Sequence, residues 1–111
     1  MELTAERYVI VQTTLPGETD ASAFARALVT ERLAACVHVL APMTSTYRWK
    51  GTIEEEPERQ LSIKTSRGCI DALWQRVREL HPYEVPEFVV LPIIDGSEAY
   101  LRWISENTDA G

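Results

Sequence analysis

Met43-Thr44-Ser45-Thr46-Tyr47-Arg48-Trp49-Lys50-Gly51-Thr52-Ile53-Glu54-Glu55-Glu56 decides the fold of this chain. Met43, Ser45, Tyr47 and Trp49 alternate with Thr44, Thr46, Arg48 and Lys50, the period of two that a strand imposes. Lys50-Gly51 supplies the turn, because glycine takes a positive φ without steric cost. The return arm starts at Thr52, is interrupted by Pro57, and resumes its alternation at Leu61, Ile63 and Thr65. A proline there predicts a sheet edge or a bulge. The hairpin is longer than the sheet of a 111-residue chain requires. Its outer half, around Tyr47, Trp49 and Ile53, carries large apolar groups that a monomer leaves wet. Exposed aromatics and unpaired edges invite association, so an oligomer is expected.

On the N-terminal side, the β-branched run Tyr8 to Thr14 reads as a buried strand that stops at Pro16-Gly17. Asp20 caps a helix to about Arg32, with Ala21, Phe24, Ala25, Leu28 and Val29 on one stripe. Cys36 to Leu40 is again strand-like and breaks at Pro42. On the C-terminal side, Ser66 is expected to cap a second helix carrying Ile70, Leu73, Val77 and Leu80 at 3-4-3 spacing. Phe88 to Ile93 is a strand, Asp95-Gly96 a turn, and Ser97 to about Asn107 a short helix. The order βαββαβα predicts an α+β, ferredoxin-like βαββαβ sandwich with a long hairpin and a C-terminal helix. One domain spanning 1–111 is expected, with 1–7 and 108–111 as flexible ends.

The formal net charge of −6 opposes a nucleic-acid surface, which needs cations against phosphate. No apolar stretch approaches the roughly 20 residues of a membrane helix. The start, Met1 to Arg7, has neither the basic segment nor the apolar core of a secretory signal. Two cysteines, far apart in sequence, form no disulfide framework or metal-spaced pair, and the expectation is a reduced, cytoplasmic protein.

Chemistry concentrates in His81-Pro82-Tyr83-Glu84-Val85-Pro86-Glu87. The two prolines forbid a helix through it, so an imidazole, a phenol and two carboxylates stand at a rigid junction between helix and strand. His81 reads either as a metal ligand or as a cation at the C-terminal end of the second helix. Cys36 reads either as a small core residue or as a thiolate donor, and His38 shares its strand face. Cys69, early in the second helix, is expected to be an exposed, oxidisable thiol. Glu54, Glu55, Glu56 and Glu58 read as a solvated edge, and Tyr47, Trp49, Trp74, Tyr83 and Trp103 as core or intersubunit packing. Glycine-rich phosphate loops, nucleophile elbows and histidine–glutamate zinc motifs are absent, so no enzyme is expected.

Five segments carry a resemblance: Glu31 to Val37, Thr44 to Gly51, Ile63 to Thr65, His81 to Glu87, and Leu91 to Ile93. Together, in this order and spacing, they resemble the CutA family of divalent-cation tolerance proteins, from Tyr8 to Trp103. The resemblance implies a non-enzymatic homotrimer with strands pairing across subunits, akin to the PII signalling proteins. It also implies tolerance to, and binding of, copper or another divalent metal. Some members carry a ligand cysteine where Thr13 stands and a first histidine where Leu80 stands, so His81 is the donor that remains. The expected metal ligands are His81 and Cys36, with Tyr83, Glu84 and Glu87 shaping a pocket between subunits. The alternative is a sensory or scaffolding trimer that binds a small molecule or protein partner there.

Overall fold

The structure, a computed structural model, describes residues 4–109. Its elements are β1 (Tyr8–Pro16), α1 (Ala21–Thr30), β2 (Cys36–Val39), β3 (Met43–Trp49), β4 (Thr52–Ser66), α2 (Ile70–Leu80), β5 (Val89–Pro92) and α3 (Glu98–Glu106). The long strand β4 organises the rest. β1 pairs with it antiparallel from Tyr8↔Ser66 to Pro16↔Glu58, and β5 pairs with the far edge of β1. β2 and β3 share the other edge of β4, one beyond the other. This is the expected α+β plan, with the first hairpin arm split in two where Pro42 removes a donor.

Local chemistry explains the joints. Asp20 accepts the Ala23 N–H at 3.0 Å and starts α1; Ser97 accepts the Tyr100 N–H at 3.2 Å and starts α3. Lys50 and Gly51 both take positive φ, 49° and 83°, the signature of a two-residue primed turn. β4 passes through Pro57 unbroken. The Pro57 carbonyl accepts from Gly17 N at 2.9 Å, just past the last β1 pair, so the missing N–H falls where the β1 ladder has ended.

The two sheet faces differ. Val9, Val11, Leu61 and Ile63 are fully buried beneath Phe24 and Leu28 of α1 and Leu73 and Val77 of α2. By register, Ile10, Cys36, His38, Lys64 and Leu91 lie on the opposite face. There α3 covers one end only, where Ile104 packs on Tyr8 and Ala35.

Three expectations change. Ser66 does not cap α2: its hydroxyl bonds Thr108 at 2.6 Å, and a 3-10 turn, Arg67–Cys69, precedes the helix. Cys69 is 1% exposed, because that turn tucks its side chain into the interior instead of presenting it to solvent. Thr108 is buried and Asp109 pairs with Arg32 at 2.8 Å, so the tail is anchored as far as residue 109. Residues 1–3 and 110–111, also expected to be flexible, lie outside the described residues. No helix among the described residues is long and apolar enough to cross a membrane.

Candidate functional site

α2 stops at His81, whose N–H bonds Val77 O at 2.8 Å while its backbone turns extended ahead of Pro82. The imidazole folds inward and is only 7% exposed. Its Nε2 lies 2.5 Å from the Thr14 carbonyl, and its Nδ1 accepts the Tyr83 N–H at 3.1 Å. A carbonyl only accepts, so the ring proton sits on Nε2 and the Nδ1 lone pair is taken. Both nitrogens are therefore engaged within the subunit. The ring ties β1 to the heptapeptide rather than facing solvent at the helix end.

Tyr83 stacks at a tilt on His81, centroids 4.9 Å apart, and donates its hydroxyl to Glu58 Oε2 at 2.8 Å. Glu58 is 5% exposed, so the solvated-edge expectation fails for it, because β1 and the heptapeptide close over that part of β4; Glu55 does remain exposed. Burial first, then the bond to Glu58, holds the Tyr83 phenol far above its ordinary pKa. Tyr47 is raised too, by lost hydration first and then by Glu56, Glu58 and Glu54. These groups line a cleft of about 740 Å³, with Tyr83, Glu84 and Glu87 on one wall and Tyr47, Trp49 and Glu58 on the other. Tyr47 and Trp49 are not core residues but half-exposed walls of this cleft. At its mouth the Lys50 ammonium lies 5.5 Å above the Trp49 ring and 4.0 Å from Glu84.

Cys36 stands elsewhere. It pairs with Lys64 on β4, whereas Thr14, the His81 partner, pairs with Gln60. Four strand residues separate the two places, roughly 13 Å, so His81 and Cys36 do not converge on one ion within a subunit. Cys36 does meet His38, Sγ to Nε2 3.6 Å, and Lys64 Nζ lies 3.1 Å from His38 Nδ1. Thr13 is fully buried with its hydroxyl unpartnered, and Leu80 packs against the core. Among the described residues, no three His, Cys, Asp or Glu side chains are grouped to hold a metal ion. Within one subunit, then, these residues do not fit a closed copper site. Sequence reasoning missed the roles of Lys64 and Tyr100 and read Glu58 as solvated edge, because only strand register and the return of α3 bring them to these places; the one available signal was Glu58 lying next to the strand-breaking Pro57.

A family profile described as CutA1 divalent ion tolerance protein matches residues 9–107. The "Divalent-cation tolerance protein CutA" of Thermus thermophilus is 48% identical over 99 residues, 89% of this chain and 96% of that protein. "Protein CutA" of Mus musculus is 45% identical over 97 residues, covering 87% of this chain but 55% of the longer mouse protein. The crystal structure of CutA1 from Oryza sativa superposes with a TM-score of 0.89 at 35% identity, over 96% of this chain and 97% of that one.

Proposed function

The chain belongs to the CutA1 divalent ion tolerance family, and from that premise we propose that it works as a non-enzymatic homotrimer binding a divalent cation, copper first, where its subunits meet. One observation carries this reading: the hairpin runs past the sheet with Tyr47, Trp49 and Ile53 exposed, beside a cleft already lined by Glu58, Glu84 and Glu87. Beyond Pro16 the β1 side of β4 has no partner strand among the described residues, and past the Gly17 bond to Pro57 the edge from Thr52 to Glu56 is open for a neighbouring copy. A neighbour seated there buries the aromatics and brings its own polar groups to the cleft. Copper favours imidazole and thiolate over carboxylate, so His81 contributes only by releasing Thr14 or Tyr83. The two unpaired cysteines support a reducing, cytoplasmic setting.

The test is calorimetric titration with Cu²⁺ and Zn²⁺ of the wild type, His81→Ala and Glu87→Gln. Saturable binding at a whole-number ratio per trimer, weakened about tenfold or more by each substitution, is expected for interactions of roughly 1.4 kcal/mol and above. Binding indifferent to both changes removes the cation from the cleft.

The cleft's size also supports a second reading, a sensory trimer for a small molecule, since about 740 Å³ is the room such ligands occupy. Its three carboxylates repel phosphorylated ligands, so a nucleotide is the wrong class. A rise in melting temperature with a small molecule but with no metal would favour this alternative.

A further inference from the structure

The sheet face away from α1 and α2 carries a second constellation that the cleft does not use. Cys36 Sγ and His38 Nε2 lie 3.6 Å apart on alternate residues of β2. A tetrahedral metal about 2.3 Å from a thiolate and about 2.0 Å from an imidazole nitrogen holds those atoms roughly 3.5 Å apart. The pair thus already has the bite of a thiolate–imidazole chelate. Cys36 is half-buried and His38 exposed, so the sulfur is shielded while the ring faces outward. The Tyr100 hydroxyl of α3 reaches Cys36; burial first, then that thiol, raises the phenol's pKa.

We propose that Cys36 and His38 form a site for a soft or borderline metal ion of tetrahedral preference, Zn²⁺ or Cu⁺, with Lys64 as its gate. The site goes beyond the cleft reading and does not depend on it. Thiolate and imidazole suit these ions where the carboxylates of the cleft do not. The gate follows from proton placement. An ammonium only donates, so Lys64 on His38 Nδ1 puts the ring proton on Nε2, aimed at Cys36 Sγ. A metal needs the Nε2 lone pair and leaves the proton on Nδ1, where a ligating histidine normally finds an acceptor. Lys64 therefore withdraws when the ion enters, and its ammonium competes with loading. The remaining coordination positions fall to water or to a neighbouring subunit.

The experiment titrates the intact, reduced protein with Co²⁺, a spectroscopic stand-in for Zn²⁺, both natively and during refolding from denaturant. A thiolate-to-cobalt charge-transfer band saturating at one ion per chain or per trimer, and displaced by Zn²⁺, is expected. Cys36→Ser and His38→Ala abolish it; Glu87→Gln in the cleft leaves it intact, so the two sites fail separately. Lys64→Gln, which offers Nδ1–H an acceptor, tightens binding about tenfold, the scale of outer-shell effects. A wild type without the band under either loading condition overturns the site, as does a band that survives His38→Ala or Cys36→Ser. A band weakened by Lys64→Gln overturns the gate. Circular dichroism checks that each variant folds.

Discussion

The two faces of the sheet come from the same strands and were put to different uses. On the face under α1 and α2, Val9, Val11, Leu61 and Ile63 are wholly excluded from water. On the other face the alternate residues include Ile10, Cys36, His38 and Lys64, and Val89 and Leu91 of β5 keep 44% and 39% of their surface exposed. Burial energy dictates residue type on the first face. On the second it dictates little, which leaves room for chemistry and for other copies of the chain. Every candidate site described above lies on or beside that second face.

The largest effect that can break this contrast is a cavity on the helix face. Leu61→Ala is expected to cost about 2–5 kcal/mol in denaturant melts, while Ser62→Ala next to it costs under about 1 kcal/mol. Equal losses would mean that both faces are equally packed.

His81→Ala comes next, at about 2–4 kcal/mol, because it leaves the Thr14 carbonyl and Tyr83 N–H without their partner. A loss below about 0.5 kcal/mol would show the ring to be free, and so available as a ligand without reorganisation.

Thr13→Val sharpens the contrast from the other side. It removes the unpartnered buried hydroxyl at nearly constant volume, so stability rises by about 1 kcal/mol. A loss of stability would reveal an unseen partner for that oxygen.

The smallest effect is in pH. The folded-state pKa of Tyr83 is raised, so its contribution to stability is fully present below the ordinary phenol value near 10 and is lost as pH rises through the folded one. Tyr47 and Tyr100 are raised as well, but ultraviolet titration should show Tyr83 ionising last, and Tyr83→Phe should remove that latest step. A normal titration in the wild type would detach Tyr83 from Glu58.

The sequence announced local features more fully than contacts between distant elements. The period-two alternation of β3 and β4, the Asp20 and Ser97 caps and the Lys50-Gly51 turn are local signals, and each stands where local chemistry put it. Ser66 failed as a cap because a distant residue, Thr108, offered its hydroxyl a better partner. Cys69 failed as an exposed thiol because the short turn before α2 carries it inward. The Cys36–His38 contact was legible from alternation, but Lys64 needed the register of β4 and Tyr100 needed the path of α3. The engagement of His81 Nε2 depends on Thr14, 67 residues away in sequence, while that of Nδ1 by the Tyr83 N–H is local. Composition carries no such information.

The account rests most heavily on the second face and the hairpin being completed by other copies of the chain. Sedimentation equilibrium at micromolar protein measures that directly. The expected mass is three times 12.6 kDa, falling towards one subunit when Leu91→Asp and Trp49→Ala are combined while circular dichroism stays folded. A wild-type protein that sediments as a stable 12.6 kDa monomer would contradict the account.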